Sequence, residues 1–427
     1  MTVARRAGRG PGLFGLAAGG LALALLSACS SPSGAAEKAR TAANLSQGSG
    51  SGAGRAAPSA PATPAAAPAR VGVRPGQGAR GVSPVTPILV AATGGTLHSV
   101  TVTNPAGERV TGAFSADRTR WTSSEDLGYS RTYTVSAVAT NVDGHRTATT
   151  SRFTTLTPAN LTMPTVTPNG GTFGVGEPVV VRFDEPIGDR VAAERALVVD
   201  TAPTVYGVWH WFGDREAHWR PEKYWAPGTR VTVHANVYGV NLGNGLYGQA
   251  DRTGSFTVGA SKIAVIDDHT HMMRVTVNGR KAHPDIPVSM GRGGCITVNG
   301  NHICFTTQSG PHVVLGKTPV KHMSSASYGL PVNSPLGYSE DIALAVRISW
   351  SGEFVHSAPW SVADQGRRNV SHGCINISAA NARWFYHTFG VGDVVDIRNT
   401  AVPLPPTDGY GDWVLSWPRW VAGSALA

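Results

Sequence analysis

Cys374 has surroundings in the sequence that could make it a nucleophile. A free thiol has a pKa of about 8.5 and is mostly protonated at neutral pH, so it needs a nearby imidazole to accept its proton. Two histidines could do so: His372, two residues before the cysteine, and His356, in a separate predicted strand. His372 is constrained because it shares a short loop with the sulfur, whereas His356 can approach across a cleft. The pattern therefore predicts a cysteine nucleophile with a histidine base.

The residues around Cys374 could complete such a site. Gly373 lets the backbone approach a substrate closely, and the amides of Gly373 and Cys374 could hold a developing oxyanion. Asn376 could orient neighbouring groups, and Ser378 could cap a helix over 379–387. The order of histidine before cysteine argues against papain-like proteases, in which the cysteine comes first. An unreactive, buried thiol is the simpler alternative for Cys374.

Predicted strands and turns must position these groups. Apolar and β-branched runs at 263–266 and 273–277 flank the polar segment Asp267-Asp268-His269-Thr270-His271, and those at 343–349 and 353–356 flank Ser351-Gly352. Both patterns are typical of β-hairpins. Aspartate and histidine are metal-ligand types, but a solvated turn between two strands is the better interpretation of 267–271. The sequence therefore predicts no metal site.

The run from His356 through fourteen residues to Ser371-His372-Gly373-Cys374-Ile375-Asn376 resembles the signature of L,D-transpeptidases with a YkuD-type catalytic domain. The segments at 331–335 and 355–360 are similar to actinobacterial enzymes, especially mycobacterial lipoprotein L,D-transpeptidases with tandem immunoglobulin-like domains. The resemblance implies a mainly β protein with two immunoglobulin-like β-sandwich domains. A YkuD-type β-sandwich catalytic domain with a short helix would follow over 260–399. A tryptophan-rich C-terminal tail over 400–427 would pack on the catalytic domain.

The resemblance also implies a reaction that needs no cofactor. Cys374 would attack the carbonyl of the third residue of a peptidoglycan tetrapeptide stem, release D-Ala and form a thioester. The side-chain amine of a second stem would then attack and give a 3→3 cross-link, and carbapenems would acylate the same cysteine. The alternatives are an L,D-carboxypeptidase, attachment of a protein by the same acyl-enzyme, or a non-catalytic wall-binding lipoprotein.

Roles for the other site residues follow from the same resemblance. His356 would take the thiol proton, and the carbonyl of Ser357 would hold the His356 ring in its useful tautomer. His372, Gly373 and Cys374 would form the oxyanion pocket, and Asn376 is counted with the catalytic residues. The residues expected to bind substrate or to form the lid over it are Met323, Tyr328, Tyr338, Trp360 and Ser371. For Met323 and Trp360, packing in a core is an equally good interpretation.

An insertion at 292–305 departs from the family pattern. It contains Cys295 and Cys304, which are equidistant from Asn299-Gly300, the dipeptide most typical of a two-residue hairpin. A type I′ turn there places the two cysteines opposite each other at a non-hydrogen-bonded pair, within reach of a disulfide. We therefore expect a Cys295–Cys304 disulfide, since a metal site that also used His302 would lack a fourth ligand. Beyond the insertion, Gln308 stands where relatives have proline.

A repeat indicates two similar domains before the catalytic region. Phe114, Trp121, Thr134-Val135 and Ala137 recur 98 residues later as Phe212, Trp219, Thr232-Val233 and Ala235. Apolar and polar residues alternate around the later positions of each copy, which is typical of half-buried strands. Two such units with short strands and Gly/Pro turns predict immunoglobulin-like sandwiches over 84–158 and 159–259. The tryptophans, including Trp209, Trp211 and Trp225, are expected to fill cores rather than to stack on sugars.

The N-terminal segment is typical of a bacterial lipoprotein. Three arginines precede an apolar stretch that ends at Cys29 in a lipobox-like motif, which predicts a signal peptide over 1–28 and acylation of Cys29. Residues 29–83 are dominated by Ala, Gly, Ser and Pro, which predicts a flexible tether. We therefore expect a protein that is lipid-anchored to the outer face of the cell membrane and acts in the cell wall.

The net charge of +9 does not predict nucleic-acid binding. The leader carries +3 of it and residues 30–83 carry +5, which leaves +1 for residues 84–427. Recognition of nucleic acid needs a basic face on the folded part of the chain. No apolar run reaches the roughly 20 residues of a spanning helix, which excludes a polytopic membrane protein. A monomer is the default expectation.

Overall fold

The computed structural model describes residues 65–427. The predicted signal peptide, Cys29 and most of the predicted tether lie outside the described residues. Strands dominate the described part of the chain, so the mainly β prediction is confirmed. Among the described helices, none is long and apolar enough to cross a membrane.

The first sandwich consists of two antiparallel sheets. Its strands are β1 Arg70–Arg74, β2 Leu89–Thr93, β3 Thr96–Thr103, β4 Gly112–Phe114, β5 Arg120–Ser123, β6 Thr132–Thr140 and β7 Arg146–Thr154. One sheet has the order β1-β2-β5-β4, and the other has the order β3-β6-β7. β6 alternates as predicted, because Tyr133, Val135 and Ala137 are at most 4% exposed. These side chains form the core together with Trp121.

The first domain begins well before residue 84, so the predicted end of the tether at 83 is wrong. β1 pairs with β2 from Arg70↔Thr93 to Arg74↔Leu89, and Ala69 is buried. Val71 and Val73 pack against the first core. Their alternation is a strand signal, but it is short and lies in a segment whose overall composition is that of a linker.

The second sandwich repeats this plan with additional elements. Its strands are β8 Asn160–Thr162, β9 Pro164–Thr167, β10 Thr172–Phe173, β11 Val179–Phe183, β12 Leu197–Ala202, β13 Gly207–Phe212, β14 Glu216–Pro221, β15 Arg230–Ala235, β16 Leu246–Gly248 and β17 Arg252–Val258, and its helix is α1 Arg190–Ala196. The main sheets have the orders β10-β17-β15-β12 and β13-β14-β11-β9. β15 stands at the predicted offset from β6. Trp209, Trp211 and Trp225 lie in this core, which confirms that they fill it.

The third domain starts at Lys262. Its strands are β18 Lys262–Asp267, β19 Met272–Val277, β20 Arg280–Lys281, β21 Ile286–Pro287, β22 Cys295–Val298, β23 Asn301–Cys304, β24 Gln308–Val313, β25 Gly316–Ser324, β26 Ser339–Arg347, β27 Phe354–Ser357, β28 Ile375–Ile377, β29 Val394–Arg398 and β30 Val402–Pro403. Its helices are α2 Ala379–Thr388, α3 Trp417–Val421 and the 3₁₀ turns Ser325–Tyr328, Pro359–Ser361 and Gly411–Val414. One sheet has the order β20-β19-β18-β29-β24-β30, and another has the order β25-β26-β27-β28. A single apolar core joins both sheets to α2.

Several local predictions for this domain are confirmed. β18 and β19 pair antiparallel from Lys262↔Val277 to Asp267↔Met272, so the segment 268–271 is a turn. The Ser351-Gly352 turn lies between β26 and β27, which pair through Val346↔Val355. Ser378 caps α2 by accepting a hydrogen bond from the amide of Asn381 at 3.3 Å.

The insertion forms the hairpin predicted from its sequence. β22 and β23 pair in the expected register, with Cys295 opposite Cys304. Asn299 and Gly300 both have positive φ angles, 51° and 80°, as a type I′ turn requires. Cys295 and Cys304 are joined by a disulfide.

The C-terminal tail contacts the second sandwich in addition to the catalytic domain on which the sequence predicts it to pack. Arg220 of β14 lies 4.3 to 5.5 Å from the ring centroids of Trp413, Trp417 and Trp420. The Trp420 indole donates to the Val208 carbonyl at 2.9 Å. On the other side of the tail, Asp408 accepts from the Ser351 amide at 2.7 Å. These partners are distant along the chain, so no local sequence pattern indicates them.

Candidate active site

Two adjacent strands bring Cys374 and His356 to the same groove. β27 and β28 pair in parallel, with Val355↔Ile375 and His356↔Asn376. Cys374 directly precedes β28, so continuing the register puts it beside Phe354, two positions before His356. Side chains two positions apart along a sheet point to the same face. Both side chains line one groove of about 220 Å³.

The imidazole of His356 is fixed in one tautomer. Its Nδ1 lies 3.0 Å from the carbonyl oxygen of Ser357. Since a carbonyl only accepts, Nδ1 carries the hydrogen and Nε2 keeps its lone pair. Burial lowers the pKa of His356, and the bond to Ser357 offsets only part of this effect. The ring is therefore a neutral base at physiological pH.

Cys374 is the free cysteine of the described part of the chain. Burial raises the pKa of its thiol to about 12, although a backbone hydrogen bond from Phe354 opposes the shift. Its Sγ lies 3.8 Å from the Gly352 carbonyl oxygen, in the turn between β26 and β27. The resting pair is thus a protonated thiol and a neutral imidazole rather than a thiolate and an imidazolium. The proton must leave the sulfur as the sulfur attacks.

The loop that carries Cys374 is held by its own serine. The Ser371 hydroxyl donates to the Cys374 carbonyl at 2.6 Å and accepts from the Gly373 amide at 3.1 Å. The Gly373 amide is therefore already used, so the Cys374 amide is the better candidate for an oxyanion donor in this loop. Gly373 has a φ of +141°, which other residues rarely adopt. The sequence identified these residues but not this division of roles.

The side chain of His372 is hydrogen-bonded to the lid rather than directed towards His356. We define the lid as residues 325–338, between β25 and β26. Nε2 of His372 donates to the Leu336 carbonyl at 2.9 Å. Its ring lies between those of Phe305 and Tyr338, with centroids 5.1 and 5.0 Å away. This role for His372 has no signal in the local sequence, since all three partners are distant along the chain.

The predicted substrate residues divide between two cavities. Met323, Tyr338, Trp360 and Ser371 line the groove with Cys374 and His356. Trp360 is 59% exposed, so it is not a core residue. Tyr328 instead lines a second cavity of about 290 Å³, which also reaches Cys374 and whose other wall is the inserted hairpin.

The sequence missed several residues of the site. Arg292 and Glu340 place opposite charges on the groove. The sequence did identify Asn376, which is buried, but not its partner: its side-chain amide donates to the Ser361 hydroxyl at 3.2 Å. Thr307 donates to the Gly373 carbonyl at 2.7 Å. Of the missed residues, only Arg292 has a signal in the sequence, which is its position at the start of the insertion.

The neutral pair predicts a particular pH dependence for the reactivity of Cys374. Alkylation by iodoacetamide should rise as His356 loses its proton, with a midpoint below 6.5 because burial lowers the pKa of His356. The rate should then stay level to about pH 9, because the base is fully available there. Mass spectrometry of quenched samples gives the rate. A rate that instead keeps rising up to about pH 9, as expected for a buried thiol without a base, would contradict a role for His356.

Comparison with known proteins identifies the family of the chain. Two family descriptions match: a bacterial Ig domain over residues 79–241 and the L,D-transpeptidase catalytic domain, YkuD, over residues 261–397. L,D-transpeptidase 2 of Mycobacterium tuberculosis is 46% identical over 352 residues, which are 82% of this chain and 83% of that protein. The chain belongs to the L,D-transpeptidase family. The L,D-transpeptidase resemblance noted in the sequence is thereby confirmed.

Further relatives of this L,D-transpeptidase agree. L,D-transpeptidase 5 of Mycobacterium tuberculosis is 38% identical over 84% of this chain and 77% of its own length. A solved L,D-transpeptidase in complex with imipenem is 35% identical and covers 55% of this chain and 97% of its own, with a TM-score of 0.45. The two family matches and the two Mycobacterium tuberculosis relatives show that the present chain is an L,D-transpeptidase enzyme with an Ig-like region before its catalytic domain.

Proposed function

We propose that this L,D-transpeptidase forms 3→3 cross-links in peptidoglycan through a thioester on Cys374. The observation that carries the proposal is that Cys374 and His356 line one groove, where burial raises the pKa of the thiol and lowers that of the imidazole. Nδ1 of His356 is committed to Ser357, so Nε2 is the atom left to move a proton. A histidine in this state can serve as base for one step and as acid for the next.

In the first half-reaction, Cys374 attacks the carbonyl of the third residue of a donor tetrapeptide. The thiol proton passes to Nε2 of His356 as the carbon–sulfur bond forms. The Cys374 amide stabilises the oxyanion. His356 then gives the proton to the nitrogen of the leaving D-Ala as the peptide bond breaks, which leaves the thioester.

In the second half-reaction, the side-chain amine of another stem attacks the thioester carbon. His356 takes a proton from that amine and returns it to the sulfur as the carbon–sulfur bond breaks. The product is an amide between the third residues of two stems, and the enzyme regains its starting state. The second cavity gives this acceptor a route to Cys374 while the donor occupies the groove.

A carbapenem would enter the same first step. Its strained lactam carbonyl is an acyl group like the donor amide, and opening the ring breaks the carbon–nitrogen bond without releasing a fragment. The ring nitrogen takes the proton from His356. The acyl group then stays on Cys374, so the protein mass rises by the mass of the whole drug.

Product analysis with a defined substrate tests the proposal. Wild-type protein incubated with purified disaccharide-tetrapeptide should give D-Ala and 3→3 dimers, and Cys374→Ala should give neither. Tripeptide without dimers would replace the proposal by an L,D-carboxypeptidase. Unchanged substrate with a correctly folded wild-type protein would indicate a non-catalytic wall-binding role.

The proposal includes anchoring by a lipid on Cys29. The lipobox-like motif and the basic residues after it supply the two signals that stable attachment needs. The full-length chain should fractionate with membranes of a bacterial host, and Cys29→Ala should move it to the soluble extracytoplasmic fraction. Equal fractionation of both proteins would argue against the lipid.

A further inference from the structure

The inserted hairpin, residues 292–305, packs on the lid. Its apolar side chains and those of the lid form a cluster separate from the three domain cores. The cluster contains Ile296, Val298, Ile303 and Phe305 of the hairpin and Tyr328, Leu330 and Leu336 of the lid. Leu330 is fully buried, and Phe305 is 2% exposed. The lid therefore has its main apolar support in the insertion.

The base of the same hairpin holds the loop that carries the nucleophile. The Arg292 amide donates to the Ser371 carbonyl at 2.9 Å, and its guanidinium Nη2 donates to the Val370 carbonyl at 2.8 Å. Thr307, just beyond the hairpin, donates to the Gly373 carbonyl at 2.7 Å. Three donors at the base of the insertion, two on Arg292 and one on Thr307, thus hold residues 370–373.

His372 is the point at which hairpin, lid and catalytic loop meet. It belongs to the loop, donates to the lid carbonyl of Leu336, and makes an edge-to-face contact with the Phe305 ring, whose plane lies 87° from its own. Edge-to-face contacts are specific in geometry. A shift of Phe305 therefore changes the support of His372 and of the lid together.

The disulfide joins the two strands of the supporting hairpin at a position exposed to solvent. Cys295 and Cys304 are both exposed and lie opposite each other at the open end of the two strands. A two-stranded hairpin without further cross-links is only marginally stable in water. Exchange with a reductant requires access of a thiolate to the sulfur atoms, and exposure provides that access.

From these contacts we propose that the disulfide-closed hairpin is a redox-sensitive positioning element, which holds the lid and His372 in place for acylation of Cys374. A dithiol reductant supplies two electrons and two protons: the Cys295–Cys304 bond breaks, both cysteines become thiols, and the reductant becomes a disulfide. While the disulfide is closed, Phe305 acts as a positioning residue through His372. Cys374 is already a free thiol, so reduction leaves it chemically unchanged. The proposal rests on the proposed function, because its effect is read on that acylation.

The first test compares the acylation rate of the full-length protein in two redox states. Wild-type protein is reduced with dithiothreitol, desalted without oxygen and mixed with a carbapenem, and the adduct is followed by mass spectrometry. We expect reduction to slow acylation by about tenfold, which is less than the roughly hundredfold loss that a misplacement of about 1 Å can cause. The variant Cys295→Ser/Cys304→Ser should show the slow rate with or without dithiothreitol. Equal rates for oxidised and reduced wild-type protein would overturn the proposal.

A second test separates positioning from simple loss of stability. Phe305→Ala should acylate slowly and lose its response to dithiothreitol, because the support of His372 is already released. Phe305→Tyr keeps the aromatic ring and should retain most of the acylation rate and most of the response to dithiothreitol. Thr297→Ala, on the exposed side of β22, is the matched control and should behave as wild type. A fully retained redox response in Phe305→Ala would exclude Phe305 from this role.

A third readout does not depend on catalysis. Hydrogen exchange of the lid, residues 325–338, should accelerate on reduction of wild-type protein but not of Cys295→Ser/Cys304→Ser, while exchange in the first sandwich stays constant. If no protein is acylated in either state, the proposed function fails, and lid exchange still decides the role of the hairpin. Lid exchange that is unaffected by reduction would refute it.

Discussion

Replacement of His356 by glutamine is expected to slow acylation of Cys374 by about a thousandfold at neutral pH, within the range for loss of a general base. Glutamine can still donate a hydrogen bond to the Ser357 carbonyl, which holds the native ring. It has no basic nitrogen, however, and the thiol is protonated because burial raises its pKa to about 12. The rate with a carbapenem, measured by intact mass, gives the effect.

The same variant should regain activity as the pH rises. Below the pKa of the thiol, the thiolate fraction grows about tenfold for each pH unit, so the variant should accelerate steadily to the highest pH that the fold tolerates. The wild-type rate should be level over that range. His387→Gln, an exposed histidine at the end of α2, is the control and should match wild type. A His356→Gln rate close to the wild-type rate at neutral pH would remove His356 from the base role.

The largest expected effect on stability comes from Trp420→Ala. Trp420 is fully buried, its indole donates to Val208, and its ring covers the guanidinium of Arg220. Truncation of a buried tryptophan costs about 3 to 5 kcal/mol in free energy of unfolding. For a folding unit of about 150 to 250 residues this corresponds to a fall of about 10 °C in melting temperature, measurable by scanning calorimetry.

Tyr206→Ala serves as the matched aromatic control for this change. Tyr206 is 76% exposed, although it also contacts the tail through Trp417. Its truncation should cost less than about 1 kcal/mol, as for other surface substitutions. If Trp420→Ala melts like Tyr206→Ala, the tail does not stabilise the second sandwich.

The features that the sequence predicts correctly depend on neighbouring residues. The register of β22 and β23 follows from Asn299-Gly300 alone, because a two-residue turn fixes which residues oppose each other. The cap of α2 by Ser378 is likewise local. The side chains of β6 that face the core follow from the alternation of apolar and polar residues. This alternation does not depend on which element the strand packs against.

The features that it does not predict depend on contacts between distant segments. Nothing in the sequence around Arg220 indicates that three tail tryptophans will cover it. His372 precedes Cys374 by two residues, yet the lid and the insertion decide where its ring points. The Gly352 carbonyl near the sulfur comes from a turn 22 residues earlier in the chain. In each case the partner is chosen by the packing of whole elements, on which a local pattern carries no information.

Trapping the acyl-enzyme shows whether Cys374 becomes the acyl carrier with His356 as its base. Wild-type protein is mixed with a disaccharide-tetrapeptide whose acceptor amine is blocked, quenched in acid and digested for mass spectrometry. The peptide containing Cys374 should gain the donor less D-Ala, and His356→Gln should accumulate this adduct far more slowly. Release of D-Ala with an unmodified Cys374 peptide at every time point, or an adduct on another residue, would show that Cys374 is not the acyl carrier.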